Sequence, residues 1–579
     1  MADPLVTVSD HLAVAFAEVA GRPGEFIDPV VRPSEHADAQ ANGALALAKS
    51  LGKSPRDVAT AVVAAAGDLS AVCTLEIAGP GFLNVTFTDA FVEAQLAALA
   101  ADDRLGVRVA PVSETVVVDY SAPNVAKEMH VGHLRSTVIG DAVVRLVEFA
   151  GHRVIRENHI GDWGTQFGML IEHLLDLGET EGASGLGVGD LDGFYKSASA
   201  KFKSDEAFQE RARHRVVMLQ GGDPETRRLW GLLVAESARY FQEVYRLLGV
   251  KLTNDDLAGE STYNDLLPQV VDRLRDVGLL TESDGADVVF PPGYTNREGE
   301  PLPLIIRKRD GGYNYATTDL ATIIDRRERL GADRSLYVVG APQAQHLQMV
   351  FAVAAQAGWL PDPSSCVHVA FGSVLGADGR MLRSRSGESV KLVELLTEAI
   401  DRATEAVAEK NPELGADERA AVGRMVGLGA VKYADLSTDR IKDYRFDWER
   451  MLSFDGNTAP YLQYAHARIC SIFRRAEITR DQVTTAQPIL RTPQERSLAM
   501  RLLGFDGAVW DAIDRYSPHR LCTYLFDLAS DFTTFYEACP VLKADSDELK
   551  ASRLALCDLT ARVMARGLDL LGIDAPERM

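Results

Sequence analysis

The chain has 579 residues, 46% of them hydrophobic and 25% charged, with a formal net charge of −22. That length is worth several domains and the composition is globular, which excludes a fibrous, disordered or single-domain protein. The acidic balance argues against general affinity for nucleic acid, although an average charge leaves room for a local basic groove.

Residues 1–107 alternate Ala-rich helical pattern (SEHADAQANGALALAKSLG, SPRDVATAVVAAAG) with strand pattern (AVCTLEIAGPGFLNVTFT), in which Gly79 to Phe82 reads as a tight turn. This predicts a small α+β module. TVVVDY (115–120) is a β-branched, apolar run of the kind that forms buried parallel strands. The helical pattern HLRSTVIGDAVVRLVEFAG follows, stopping at Gly151, and RVIREN makes the next strand. Strand, helix and strand in succession form a βαβ unit. The prediction is a multidomain α/β chain whose centre, 108–440, is a doubly wound (Rossmann-like) parallel sheet. From about 180 to 300 the pattern is interrupted by the Gly-rich GASGLGVGD, the amphipathic ETRRLWGLLVAESARYFQEVYRLLG and the hairpin-like LLTESDGADVVFPPG, read as an insertion. SLYVVG and CVHVAFGSVL resume the strand pattern. From about 400 onward nearly everything is helical, and 441–579 is expected to be an all-α bundle.

No run reaches the roughly 18 apolar residues that a membrane span needs. MADPLVTVSDHLAVAF lacks the basic start and cleavage site of a signal peptide. Six scattered cysteines (Cys73, Cys366, Cys470, Cys522, Cys539, Cys557) include no C-x-x-C. The expectation is a cytoplasmic protein with reduced thiols, no metal site and no membrane partner.

SAPNVAKEMHVGHLRS (121–136) lies just past the first strand, where ligands of doubly wound sheets bind. Free N–H groups and the positive dipole end of the next helix favour a phosphate there. His130 and His133, three apart, can point the same way and donate hydrogen bonds to growing negative charge. Gly132 removes a side chain, letting a flat group such as a base approach the backbone, and Lys127 adds a mobile positive charge. The plain alternative is a helix start whose histidines cap backbone or sit exposed; the position directly after an apolar strand favours the anion site. Other phosphate motifs fail. Gly52-Lys53-Ser54 has Leu47 where a P-loop needs glycine, and GLGVG (185–189) follows no strand. In GADGRMLRSRSGESVKL (376–392), Arg380, Arg383 and Arg385 interleave with Ser384 and Ser386. That loop suits a polyphosphate as well as it suits a solvated surface.

HVGH after a first strand, with a distant basic Ser-Arg-Ser loop, resembles the HIGH and KMSKS motifs of class I aminoacyl-tRNA synthetases. The longer stretches SAPNVAKEMHVGHLRS, ENHIGDWGTQFG (157–168), RDGGYNYATTDLA (309–321) and FDWERMLSFDGNTAPYLQYAHAR (446–468) are similar to arginyl-tRNA synthetases. So is the ending ASRLALCDLTARVMARGLDLLGIDAPERM. The resemblance covers most of the chain and is weakest in the insertion and between 470 and 520.

The resemblance implies tRNA-dependent activation of L-arginine by ATP, as its Mg2+ complex, and transfer of the arginyl group to the 3′ end of tRNA-Arg. It further implies a monomer with no zinc and no organic cofactor. On this reading His130 and His133 stabilise charge on the transferring phosphate. Gly132, Ser384, Arg385 and Ser386 complete the ATP site. Leu382 stands where the first KMSKS lysine would be, and Lys127 matches a lysine that compensates in arginyl enzymes, which leaves the role of Arg383 open. A guanidinium calls for carboxylates. The matching arginine-binding positions are Asp119, Asn124, His133, Tyr315, Asp319 and Gln343. Tyr464 and Arg468, near His466, Arg474 and Arg475, match an anticodon-binding domain, where aromatic and basic groups suit splayed bases. Phe82 and Asn84 match positions that touch the tRNA D-loop, against a rival reading of Phe82 as hairpin core. A cysteinyl enzyme would need zinc-binding cysteines near the site, and none lies between Cys73 and Cys366. The intact motif set disfavours a catalytically dead tRNA-binding protein, and an oxidoreductase would need a glycine fingerprint.

Overall fold

The computed structural model describes residues 3–178, 191–383, 390–483 and 486–579. They form two compact units: Ala110–Ser453 with Leu570–Ile573, and Met1–Val109 with Phe454–Asp569 and Asp574–Met579.

The first unit is built on four parallel strands in the order Cys366–His368, Arg334–Tyr337, Thr115–Asp119, Arg153–Glu157. Val116, Val117 and Val118 are fully buried, as a strand covered on both faces requires. From Thr115–Asp119 the chain winds first to Arg153–Glu157 and later to Arg334–Tyr337 on the other side. That reversal opens the crevice in which such folds bind ligands, beyond the carboxyl ends of the strands. The expected insertion supplies helices Leu191–Ser204, Glu206–Gln220, Pro224–Leu248 and Leu267–Asp276. A small antiparallel sheet of Thr281–Ser283, Ala286–Val289 and Leu304–Arg307 follows. It is no separate body: Val270, Val271 and Leu274 share one core with Leu320, Ile323 and Val350. Residues 441–453, grouped by sequence with the C-terminal bundle, also pack here, because strand Tyr444–Arg445 pairs in parallel with Val374–Leu375.

In the second unit the N-terminal module is an antiparallel sheet in the order Val31–Pro33, Ala39–Ala41, Phe82–Phe87, Cys73–Ala78. Its tight turn needs Gly81, where a Cβ would fall 2.6 Å from the Pro55 carbonyl oxygen. Helices Ala459–Ala476, Pro493–Leu503, Phe505–Asp514, His519–Ala538 and Asp547–Leu570 make the expected bundle. The guanidinium of Arg496 ties the two together, reaching Asp38 and Asp89 at 2.6 Å each.

Helix Val131–Phe149 is buried along most of its length, and at Gly140 a Cβ would come within 2.4 Å of the Tyr120 Cβ. Alanine is the better helix former by roughly 1 kcal/mol, but overpacking a core costs roughly 1–3 kcal/mol. Gly140→Ala is therefore expected to lower the thermal unfolding midpoint. A raised midpoint would show that helix propensity governs the position.

Candidate functional site

Strand Thr115–Asp119 delivers the chain to the crevice and helix Val131–Phe149 takes it up again. Between them Ser121 (φ 74°), Ala122 (φ 46°) and Ala126 (φ 59°) lie in the left-handed region, and such strain clusters at functional sites. His130 caps the helix. Its Nδ1 accepts the Gly132 N–H at 3.0 Å, and the Nδ1 of His133 accepts the His130 N–H at 3.1 Å. A ring nitrogen that accepts a backbone N–H carries no proton, so each neutral ring holds its proton on Nε2. Burial, with a contribution from the Lys127 charge, lowers both pKa values, that of His133 to about 3. The site thus contains two neutral Nε2–H donors, their ring centroids 4.2 Å apart.

Two sequence expectations change here. A Cβ on Gly132 would fall 2.6 Å from Cε1 of His130, so this glycine first makes room for the capping ring. The helix start also has no run of free N–H groups. Val131 donates to the Val390 carbonyl, Gly132 to His130, and His133 to the His130 carbonyl. What remains for an anion is the helix dipole and the imidazole N–H groups.

The Lys127 ammonium lies 4.4 Å from the centre of the Tyr195 ring, on helix Leu191–Ser204 of the insertion. Next to it, buried Glu128 pairs with Lys391 at 2.9 Å. His130 and Lys391 form an antiparallel bridge, and the Leu392 N–H donates to the Met129 carbonyl. On the other side of the basic loop, the Leu382 N–H donates to the Val374 carbonyl. Residues 390–392, which follow the basic loop, therefore lie against the start of the helix that carries His130 and His133. Ser384, Arg385 and Ser386 lie outside the described residues; Arg383 is exposed.

Asp119 is almost fully buried at its strand end. One oxygen pairs with Arg326 at 2.8 Å, and the Nε of that arginine reaches Glu157 at 2.7 Å. The other Asp119 oxygen has no hydrogen-bond partner among the described residues. A carboxylate expected to face a free guanidinium thus already holds one from the protein. Asn124 is exposed and bridged to Gly161, where a Cβ would lie 2.3 Å from the Asn124 Oδ1. Tyr315, 71% exposed, opens helix Tyr315–Glu328. One turn on, Asp319 meets the Nε2 of His346 at 2.5 Å, a bond that raises the pKa of that histidine. Gln343 is exposed in the turn Ala341–Gln343 that follows strand Arg334–Tyr337. Sequence reading missed Glu260, in the turn Glu260–Tyr263 of the insertion. Burial, reinforced by the negative charges of Asp162 and Asp319, raises its pKa to about 7. Its N–H donates to the carbonyl of Ile160, next to Gly161. Asp319 and Glu260 together give the crevice an acidic side suited to a guanidinium.

In the other unit, Phe82 and Asn84 lie half-buried on one face of strand Phe82–Phe87, while Leu83, Val85 and Phe87 fill the core from the other. The hairpin-core reading of Phe82 is therefore wrong. Tyr464 and Arg468, one turn apart on helix Ala459–Ala476, keep an exposed phenol and a guanidinium stacked 4.7 Å from the Tyr536 ring centre. His466 is buried and donates to the Pro576 carbonyl through Nδ1.

A family model described as the catalytic domain of class I tRNA synthetases (R) matches residues 95–448. Models of the arginyl-tRNA synthetase N-terminal domain and the DALR anticodon-binding domain match 7–87 and 462–579. An arginine–tRNA ligase of Thermobifida fusca is 57% identical over the full length of both chains, and one of Escherichia coli O157:H7 is 50% identical over 97% of each. The crystal structure of the Plasmodium falciparum arginyl-tRNA synthetase superposes with TM-score 0.83 at 27% identity, covering 99% of each chain. The Thermus thermophilus arginyl-tRNA synthetase gives 0.82 at 26% identity, covering 99% of this chain and all of that one.

The reciprocal caps make a spectroscopic prediction. In 15N-correlated NMR spectra at pH 7, His130 and His133 should both show a bare Nδ1 and a protonated Nε2, and His133 should not titrate between pH 5 and 8. An Nδ1–H tautomer on either ring would contradict the capping geometry.

Proposed function

The chain belongs to the class I arginyl-tRNA synthetases and is an arginine–tRNA ligase, and we propose how its residues divide that work. The reaction joins the carboxylate of L-arginine to the α-phosphate of ATP, releasing pyrophosphate, and then passes the arginyl group to the 3′ end of tRNA-Arg, releasing AMP. His130 and His133 donate their Nε2–H groups to the oxygens on which charge grows as the carboxylate attacks. The observation that carries this role is the pair of reciprocal Nδ1 caps, which fixes both tautomers as donors before substrate arrives. Such preorganised donors cost no reorientation during the reaction. Both rings being neutral, they act as electrostatic groups and not as acids.

Lys127, released from Tyr195, supplies the mobile charge that Leu382 cannot, and Ser384, Arg385 and Ser386 take the pyrophosphate side, with Gly132 keeping the capping ring in place. Asp319 and Glu260 hold the substrate guanidinium, with Tyr315 as wall and Gln343 and Asn124 as polar contacts. Asp119, half neutralised by Arg326, keeps its unpaired oxygen for the α-amino group. Residues 1–107, through Phe82 and Asn84, touch the tRNA D-loop; 108–440 does the chemistry; 441–579, through Tyr464 and Arg468, reads the anticodon. The working form is a cytoplasmic monomer that takes ATP as its Mg2+ complex and needs neither zinc nor an organic cofactor. The scattered cysteines support the last point. Among the described residues no helix is long and apolar enough to cross a membrane.

Purified protein given total tRNA and each of the twenty amino acids should charge only with arginine, and pyrophosphate exchange into ATP should need tRNA. Charging with another amino acid, or none, would refute the assignment.

Glu260 makes the arginine step pH-dependent. With its pKa raised to about 7, the carboxyl is largely protonated at pH 6 and ionised at pH 8, and only the anion attracts a guanidinium. The KM for arginine should fall across that range, and Glu260→Gln should raise it and flatten the profile. The same shift works against the fold: a carboxyl whose native pKa lies above its unfolded value loses stability as pH rises from the unfolded value through about 7. An arginine KM independent of pH in the unmodified enzyme would remove Glu260 from the pocket.

A further inference from the structure

Helix Pro224–Leu248 belongs to the insertion, carries none of the family's signature motifs and is placed in no substrate pocket above. Yet three of its buried side chains hold the segment from Ser121 to Met129. The Ser237 hydroxyl accepts the Ala126 N–H at 2.9 Å, while donating its own proton to the Leu233 carbonyl. The Tyr240 hydroxyl accepts the Met129 N–H at 3.2 Å. The Tyr245 hydroxyl lies 2.8 Å from the Ser121 Oγ and accepts from the Asn158 side-chain amide at 2.9 Å. The same Asn158 accepts the Ala122 N–H through Oδ1 at 3.0 Å. Tyr245, Ser237 and Asn158 are wholly inaccessible to water and Tyr240 nearly so.

The network reaches on to helix Val131–Phe149 through Thr137. Thr137 Oγ1 lies 2.8 Å from the His133 carbonyl oxygen, which can only accept, and 2.9 Å from the Ser121 Oγ. Thr137 shares its one proton between these two acceptors, the Ser121 and Tyr245 hydroxyls are joined by one hydrogen bond, and the Asn158 amide donates to Tyr245. The chain ends on the backbone of His133 and passes through both left-handed residues that precede Asn124, Ser121 and Ala122.

We propose that helix Pro224–Leu248 positions the reactive segment at two points. Tyr245 fixes the Ser121–Ala122 turn, and with it the arginine side at Asn124. Tyr240 fixes Met129, and with it the capping residue His130 on the phosphate side. Neither tyrosine touches substrate; both are positioning residues, and the inference rests on the roles given above to Asn124 and His130. Geometry at a reacting centre is sensitive to small displacements, and about 1 Å of misplacement can cost as much as 100-fold in rate.

The experiment is steady-state pyrophosphate exchange by the full-length enzyme with tRNA present. Tyr245→Phe, Tyr240→Phe and Asn124→Ala are compared with the unmodified chain, each assayed well below its own unfolding midpoint. Each Tyr→Phe change keeps the ring and removes only the hydroxyl. Tyr245→Phe should raise the KM for arginine about 10-fold and leave the KM for ATP within about twofold, while Tyr240→Phe should lower kcat about 10-fold at unchanged arginine KM. A merely structural role would lower the active fraction and so reduce kcat in both variants alike, without moving either KM; that result, or no change, overturns the proposal. Should Tyr245→Phe not fold, Ser121→Ala breaks the same bond from its other end and must give the same split. If Asn124→Ala raises the arginine KM and Tyr245→Phe does not, the positioning role fails and the site assignment stands. If Tyr245→Phe raises it and Asn124→Ala does not, the positioning role stands and the assignment of Asn124 fails.

Discussion

Every polar group of a buried, irregular backbone needs a partner, and the chain between Ser121 and Val131 has no helix or strand of its own to supply one. The partners come from far away in sequence. Ser136 and Asn158 take the N–H groups of Ser121 and Ala122, Gly161 and Ser237 those of Val125 and Ala126, and Asp192, Tyr240 and Val390 those of Glu128, Met129 and Val131. Satisfying this one stretch therefore brings the second strand, two insertion helices and the flank of the basic loop to the same place. The crevice is assembled as a consequence of that accounting, and the insertion is one of its walls.

The same economy governs charge. A helix start usually offers an anion its unpaired N–H groups, but here the two histidines and Val390 have consumed them. The site exchanges backbone donors for imidazole donors, whose neutrality is secured by burial and whose tautomers are set by the caps. On the acidic side, two carboxylates at adjacent strand ends, Asp119 and Glu157, share the buried guanidinium of Arg326. Leaving both anions unpaired there would be prohibitive. Among the described residues Glu260 forms no ion pair, and its raised pKa marks it as a group that a bound cation would stabilise.

How much of this could be read from the residues alone follows from the physics of each signal. The parallel sheet was legible because VVV in TVVVDY is apolar on both faces, and the helix end at Gly151 because glycine accepts the positive φ that ends a helix, here 92°. The face of Phe82 was left open between core and tRNA contact, although Leu83, Val85 and Phe87 alternate with it at the period of a strand. Glu260 was not: it sits in a short turn with no period, and its character comes from burial and from Asp162 and Asp319, both distant in sequence. The pairing of Asp119 with Arg326 was hidden for the same reason, as was the scaffold helix, whose Ser237, Tyr240 and Tyr245 look like ordinary members of an amphipathic pattern. Periodicity reports which face is buried. It does not report which buried hydroxyl has a backbone partner.

Three left-handed residues that are not glycine ask why glycine was not used, since each costs roughly 1–2 kcal/mol that glycine would avoid. Ser121 answers for itself, because its hydroxyl is the middle of the chain from Asn158 to His133. Ala122 and Ala126 have no such role, and Ala126 is completely buried. For them the balance lies in the unfolded chain: glycine there would give up more conformational freedom on folding, roughly 0.4–1 kcal/mol against alanine, which offsets part of the strain. The remainder is held by hydrogen bonds to their N–H groups, each of which would cost roughly 1–3 kcal/mol if left unmade. Strain and restraint are therefore of the same size, so the segment stays in its one conformation only while its borrowed partners remain in place.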